Sequence, residues 1–230
     1  MKAILLAAGY GTRLKPLTNT IPKCLVQIHD RPLLDYWFES LNKTGINDIL
    51  INTHYLSSKV EDFIIQNNYK CTIKYEKELL GTAGTLINNL DFIGLNECLL
   101  IHADNFSLID LNALINAHKN RPVSCLMTML TFRTDKPTTC GIVELNSENV
   151  VTGFHEKKLN PPGNLANAAI YILSIDFLTE LKHNLHNIKD FSTELINKYL
   201  GKIYSFETKD IFIDIGTPEN YLKANQYFDK

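Results

Sequence analysis

Met1-Lys2-Ala3-Ile4-Leu5-Leu6-Ala7-Ala8-Gly9-Tyr10-Gly11-Thr12-Arg13-Leu14-Lys15-Pro16-Leu17-Thr18, followed shortly by Ile21-Pro22-Lys23, opens the chain and governs how the rest is read. The apolar run predicts a buried strand over residues 2–8, running straight into a glycine loop that carries three cations, Arg13, Lys15 and Lys23. Glycine has no Cβ, so backbone N–H groups there approach anionic oxygens closely, while the cations neutralise charge. The loop is therefore expected to hold a polyanion. Two familiar phosphate loops do not fit. The dinucleotide fingerprint wants a small residue where Leu14 stands, and the string G-x-x-x-x-G-K-[ST] is absent.

Outward from this loop, short apolar runs alternate with amphipathic stretches, the pattern of an α/β fold. Strands are expected at 48–53, 71–75, 97–101, 123–131, 141–145, 150–156, 166–173 and 202–206. Helices are expected at 57–66, 81–88, 110–119, 175–183 and 191–200, with a last one running to about residue 228. Arg31-Pro32 should open a helix carrying Leu33, Leu34, Trp37, Phe38 and Leu41 on one face and ending at Gly45. The fold class expected is a Rossmann-like, mixed and mostly parallel sheet flanked by helices. With no repeat or linker, residues 1–230 read as one catalytic-size domain.

Composition excludes more than it specifies. At 230 residues, 45% hydrophobic and with net charge -2, the chain has a core's worth of apolar residues and no excess of positive charge for a nucleic-acid or anionic-membrane surface. The five cysteines (Cys24, Cys71, Cys98, Cys125, Cys140) form no C-x-x-C pair and read as buried, reduced thiols. No leader pattern and no apolar run near the roughly 20 residues of a membrane span is present, so a cytoplasmic location is expected.

Asp104 ends an apolar strand, where a parallel sheet presents ligands, although a helix cap would use an aspartate equally well. Asp214 lies inside Ile211-Phe212-Ile213-Asp214-Ile215, where an unpaired carboxylate would cost roughly several kcal/mol, so a role beyond capping is expected. Converging near a phosphate loop, the two would make a magnesium site of hard oxygen ligands. Glu156-Lys157-Lys158, a charged run at a strand end, reads when taken alone as a solvated turn. His54, His102, His118 and His155 show no metal-ligand spacing and read as structural or pocket-lining. Tyr75-Glu76 through Leu80-Gly81-Thr82-Ala83-Gly84-Thr85 is a βα turn or a wall against a nucleobase.

Taken in order, the glycine-loop motif through Lys23, Leu80-Gly81-Thr82-Ala83-Gly84, Asp104, Glu156-Lys157 and Asp214-Ile215-Gly216-Thr217-Pro218-Glu219-Asn220-Tyr221 resemble the sugar-1-phosphate nucleotidylyltransferases over nearly the full length. The look is nearest to mannose-1-phosphate guanylyltransferases and heptose-phosphate relatives. The resemblance implies transfer of a nucleotidyl group from a nucleoside triphosphate, GTP before UTP or dTTP, to a sugar 1-phosphate. Pyrophosphate leaves in a magnesium-assisted in-line displacement, and the NDP-sugar feeds polysaccharide or glycoconjugate assembly. A uridylyl- or thymidylyltransferase, or a non-catalytic relative that binds nucleotide or sugar phosphate, is the alternative.

The resemblance further implies catalytic roles for Arg13, Lys23 and Asp104, and nucleotide contacts from Leu6, Ala8, Gly9, Gly11, Thr12, Glu76, Gly81 and Thr82. Sugar-phosphate contacts fall to Asn105, Gly141, Glu156, Lys157 and Asn167, and magnesium to Asp104 and Asp214. It is compatible with a homodimer, and with neither nucleic-acid nor membrane partners. Three departures stand out. Ala103 replaces the usual Gly before the metal Asp, Cys24 the Pro after the motif lysine, and Lys158 the Pro of Glu-Lys-Pro. The Ala103 methyl is expected to crowd a sugar ring.

Overall fold

The structure is a computed structural model and describes residues 1–184 and 188–228. In chain order its elements are β1 (Lys2–Leu6), β2 (Gln27–Ile28), β3 (Arg31–Pro32), α1 (Leu33–Thr44), β4 (Ile49–Thr53), α2 (Ser57–Gln66), β5 (Thr72–Tyr75), α3 (Thr82–Asn88), α4 (Leu90–Ile93) and β6 (Cys98–His102). Then follow β7 (Phe106–Ser107), α5 (Leu111–Lys119), β8 (Met127–Arg133), β9 (Gly141–Leu145), β10 (Val151–Glu156), β11 (Leu165–Leu173), α6 (Ile175–Asn184), β12 (Ile203–Glu207), β13 (Phe212–Ile213) and α7 (Pro218–Gln226). The expected mixed, mostly parallel central sheet flanked by helices is the fold. None of the described helices is long and apolar enough to cross a membrane.

The residues of the chain gather into two compact units. One is built from Ala3–Leu79, Ile101–Asp110 and Asp210–Lys230, the other from Met1–Lys2, Leu80–Leu100 and Leu111–Lys209. In the first, β1 pairs parallel with β4, and β4 parallel with β5, Leu5 lying opposite Ile51 and Ile51 opposite Ile73. Strands β1 and β4 are buried almost throughout, as a strand covered on both faces requires. Helix α1 buries Leu33, Leu34, Tyr36, Trp37, Phe38 and Leu41, and stops at Gly45 in the left-handed conformation (φ 74°).

A second hydrophobic cluster in this unit explains how distant charges meet. Leu14, Val26, Ile28, Leu33, Tyr36, Phe106, Ile215 and Ala224 pack together, with Leu17, Ile21, Ile211, Ile213, Tyr221 and Phe228 against them. Leu14 follows Arg13, Ile215 follows Asp214, and Phe106 lies two residues after Asp104. Burying each such side chain is worth about 1.5–3 kcal/mol, enough to pin the polar neighbours that cannot themselves be buried.

In the other unit, β9 lies between β10 and β11 in antiparallel pairings. Strand β11 pairs antiparallel with β8, which pairs parallel with β12. The ladder between β11 and β8 is interrupted between Asn167 and Tyr171, where Ala169 takes φ 55°. His118 is fully buried here between Thr128 Oγ1 (2.8 Å) and Glu97 Oε1 (3.2 Å). A carboxylate only accepts, so Nε2 carries the proton and the Thr128 hydroxyl donates to Nδ1. Burial, reinforced by the Arg121 charge, drives the His118 pKa down to about 3, and the ring is neutral.

Several expectations shift. Arg31-Pro32 forms a hairpin strand with Gln27-Ile28, and α1 begins one residue later, because Pro32 sits at ψ 143° and caps the helix from outside. The strand expected from 123 starts at Met127, since Pro122 and Cys125 close a turn (Cys125 N to Pro122 O, 2.8 Å). Residues 191–199 form a wide π turn and a 3-10 turn rather than an α-helix, with Phe191, Leu195, Ile196 and Tyr199 all buried. Asp190 accepts from Thr193 N at the start of that segment. Of the five thiols, which are all free, Cys71 and Cys140 are only half-buried.

Candidate active site

The glycine loop leaves the carboxyl end of β1, and each of its glycines answers to a different constraint. Gly11 has φ 62°, and a Cβ there would stand 2.9 Å from Thr18 Cγ2, so the protein itself demands glycine. Thr18 locks this turn by donating its hydroxyl to Gly11 O at 2.8 Å. Gly9 is the reverse case: a Cβ would meet no protein atom within 4 Å. Its bare backbone leaves open space, the condition for a ligand to approach the amides.

Beyond the loop a cavity of about 180 Å³ is lined by Gly11, Thr12, Arg13, Lys23, Asp104 and Gly216. Lys23, nearly buried, reaches its ammonium to Asp104 Oδ2 at 2.8 Å and to Asp214 Oδ1 at 3.3 Å. Arg13 Nη2 lies 3.8 Å from Asp214 Oδ2. Asp214 Oδ1 also accepts from Gly216 N at 2.8 Å. A Cβ on Gly216 would stand 2.7 Å from the Arg13 guanidinium and 2.9 Å from that same oxygen, so glycine keeps the two charges together.

Burial alone would lower the Lys23 pKa, but the charges of Asp104 and Asp214, with their hydrogen bonds, outweigh it and hold the ammonium above the ordinary lysine value. Burial likewise works to raise the Asp104 pKa. The Lys23 and His102 charges and the Lys23 hydrogen bond overcome it, and the carboxylate titrates below its usual range. Both groups are charged at neutral pH. Burial pushes the neighbouring Cys24 thiol up to about 12, which leaves it no nucleophile.

Asp214 corrects the expectation of a carboxylate sunk in an apolar strand. Strand β13 ends at Ile213, pairing only with the unforeseen strand β7, and the Asp214 side chain is 46% exposed. Its escape from the apolar run is what frees it to pair. Ala103 is fully buried and donates its N–H to Leu6 O at 3.0 Å, so protein covers its methyl and the expected crowding of a sugar is not seen. Lys15 is exposed and does not line the cavity.

Of the remaining residues singled out from sequence, Leu6, Ala8, Gly9, Thr12, Glu76 and Asn105 lie in this same unit. Glu76 is buried; its carboxylate accepts from Asn52 Nδ2 (2.9 Å), and Asn52 Oδ1 accepts from Ala7 N (2.8 Å). Asn105 is buried, and its carbonyl accepts from Trp37 Nε1 at 3.1 Å.

Gly81, Thr82, Gly141, Glu156, Lys157 and Asn167 lie in the other unit. Gly81 (φ 79°) leaves no room for a Cβ against Lys189 O, and Thr82 Oγ1 accepts from Phe191 N at 2.7 Å. Gly141 faces Glu156, whose Oε2 would be 2.6 Å from a Cβ. Lys157, at φ 47°, donates its N–H to Cys140 O and places its ammonium 3.2 Å from Glu156. Asn167 is spent on its own strand, accepting from Ala169 N (2.9 Å) and donating to Tyr171 Oη (2.6 Å). Sequence reasoning missed Asn52; His54 it took as structural or pocket-lining, and Gly216 it held only as part of the closing motif. Asn52 and His54 sit at the carboxyl end of β4, and the criterion that singled out Asp104 applies to them equally.

A mixed sheet with a glycine loop and clustered charges at a strand's carboxyl end defines a nucleotide-handling α/β protein. The chain belongs to the Nucleotidyl transferase family, which matches residues 2–230. It is similar to D-glycero-alpha-D-manno-heptose 1-phosphate guanylyltransferase of Campylobacter jejuni, with 33% identity over 224 residues covering 96% of this chain and 97% of the relative. The mannose-1-phosphate guanyltransferase of Aspergillus oryzae is 30% identical over 97% of this chain, which spans 63% of that relative's length. Among solved structures, HddC from Yersinia pseudotuberculosis, complexed with GMP-PN, superposes with a TM-score of 0.83 at 28% identity, covering 99% of each chain.

Proposed function

We propose that residues 1–230 act as one magnesium-dependent catalytic unit that transfers a guanylyl group from GTP to a sugar 1-phosphate. A phosphate oxygen of the sugar 1-phosphate bonds to the α-phosphorus as the bond from that phosphorus to the departing pyrophosphate oxygen breaks. The observation that carries this reading is the single ammonium of Lys23 shared by Asp104 and Asp214 at the mouth of the glycine loop. The preference for guanine and for a heptose- or mannose-type phosphate is supported by the named activities of the relatives.

The donor set fits a divalent cation. Two carboxylates from separate segments come within 2.8 and 3.3 Å of one atom, and magnesium takes one or two carboxylates together with waters and substrate phosphates. Asp104 and Asp214 would hold it, and bound there it supplies charge neutralisation to the phosphates. Lys23 is a fixed positive charge: an ammonium has three donors, two are used on the carboxylates, and one remains for a phosphate oxygen. Arg13, more than half exposed, offers its guanidinium fork to a second anionic group. Gly9 and Gly11 bring backbone amides to the triphosphate. In the other unit, Lys157 offers its ammonium to the sugar phosphate while Glu156, beside Gly141, offers a carboxylate to sugar hydroxyls. No side chain serves as a covalent nucleophile; positioning and electrostatics lower the barrier.

A pyrophosphate-release assay over a matrix of nucleoside triphosphates and hexose or heptose 1-phosphates, with and without EDTA, tests this. Turnover with GTP that EDTA abolishes is expected. Absence of pyrophosphate release from every pair sinks the catalytic reading, and a preference for UTP or dTTP reassigns the base.

A further inference from the structure

Two consecutive residues that no motif singles out, His54 and Tyr55, grip the glycine loop from the end of β4. His54 Nδ1 lies 2.8 Å from Glu76 O, and a carbonyl only accepts, so Nδ1 carries the proton. With Nδ1 the donor, Nε2 is placed to accept from Tyr10 Oη, 3.0 Å away. Tyr10 stands between Gly9 and Gly11. Its ring meets the His54 ring edge-on at 5.4 Å and the Tyr55 ring at 5.5 Å. The Tyr55 hydroxyl shares its one proton between Thr18 O (3.0 Å) and Asn19 O (3.2 Å), and the Thr18 hydroxyl in turn donates to Gly11 O. One prong therefore holds the loop at Tyr10, the other at Gly11.

Both prongs end on backbone that is itself fixed, the Tyr55 prong where Asn19 N donates to Pro16 O at 3.0 Å. Glu76 N donates to Thr53 O at 2.8 Å, and the Glu76 carboxylate takes Asn52, which takes Ala7 N at the loop's entry. The loop is thus tied at Ala7, Tyr10 and Gly11, while Gly9, where no protein atom lies near a Cβ position, is left bare. Neither tyrosine is needed for core packing: Tyr10 is half exposed and Tyr55 partly so. Two hydroxyls spent on an exposed loop point to a demand for fixed loop geometry rather than for stability.

We propose that His54, through Tyr10, and Tyr55, through Thr18, are positioning residues that preset the glycine loop for a nucleoside triphosphate. This rests on the nucleotidyl-transfer reading above. Preorganised amides bind without paying to order the loop, so losing a prong raises the triphosphate KM more than that of the sugar phosphate.

The test uses the full chain and the variants His54→Ala, His54→Gln, Tyr10→Phe and Tyr55→Phe. Glutamine can donate to Glu76 O and accept from Tyr10, so it should repair what alanine breaks. His54→Ala should raise the GTP KM about 5–20-fold, and each Tyr→Phe change about 3–10-fold, with the sugar 1-phosphate KM moving less than about twofold. His54→Gln should return to within about threefold of the parent. Without substrate, amide exchange of residues 7–13 should quicken in His54→Ala and not in His54→Gln. Equal GTP KM values across the series, unchanged exchange in His54→Ala, or a glutamine variant as damaged as alanine would overturn the proposal. If alanine does not fold, the two Tyr→Phe variants decide it. A parent chain that releases no pyrophosphate counts against the nucleotidyl-transfer reading, while the exchange measurement still judges the clasp.

Discussion

Around the glycine loop, charged side chains hold one another: Lys23 bridges Asp104 and Asp214, and Arg13 stands beside Asp214. Around Gly141 and Lys157, the backbone does the holding. Lys157 and Ala169 both sit at positive φ, Asn167 clips the bulge, and Gly141 gives up its side chain to make room for the Phe154 ring and Glu156. The difference follows from chemistry. Opposed charges organise themselves when an apolar cluster pins their neighbours, whereas a lysine that is 61% exposed gains little from an ion pair and needs its backbone set for it.

The largest expected effect comes from breaking the charge bridge. Lys23→Ala leaves two carboxylates facing a cavity without their ammonium, and kcat/KM should fall about 100–1000-fold, as for loss of a preorganised charge donor. Steady-state kinetics check this, with circular dichroism confirming the fold; a fall under tenfold would deny Lys23 a part in the chemistry.

The two loop glycines separate fold from function. Gly11→Ala forces a methyl into Thr18 at positive φ and should cost about 1–3 kcal/mol in denaturant unfolding. Gly9→Ala should leave stability within about 1 kcal/mol of the parent yet lower activity at least about tenfold, because its methyl meets only the ligand's space. Equal stability losses in both variants would erase the distinction.

Acid should strain the second unit first. The folded pKa of His118 lies below the unfolded value of 6.5, so between pH 6.5 and about 3 the unfolded chain binds the extra proton. Stability is then lost as pH falls, by about 2 kcal/mol between pH 7 and pH 5. Asp104, depressed below 3.8, keeps its contribution through that window and loses it only as pH falls through its folded pKa. Unfolding curves of the parent and of His118→Gln at both pH values test this: the variant should flatten the slope, and an unchanged slope would clear His118.

The smallest effect tests the backbone side of the comparison. Ala169→Gly removes a Cβ from the left-handed region within β11 and should stabilise by about 0.5–1 kcal/mol, read as a rise in Tm. A loss of stability would mean the methyl's packing matters more than the strain.

How much was legible differs between the two regions. Arg13, Lys23, Asp104 and Asp214 stand out in the sequence because a charge beside an apolar run is conspicuous, and the same apolar runs that mark them pull them together. Glu156, Lys157 and Asn167 entered only through resemblance to a family. A charged turn looks the same whether or not its backbone is strained, and nothing in Asn167-Ala168-Ala169 announces a left-handed alanine. His54 went unread as a clasp because its partners, Tyr10 and Glu76, are 44 and 22 residues away.

By itself the sequence determined the class of fold, the place of the glycine loop and the identity of the charges, because hydrophobic periodicity and glycine spacing act locally along the chain. Tertiary structure alone decided that Asp104 and Asp214 share one ammonium, that Gly9 is bare while Gly11 is crowded, and that Asp214 escapes its apolar run. Those facts depend on which distant segments the core brings within about 3–4 Å of one another, the range over which hydrogen bonds form and close ion pairs are strongest.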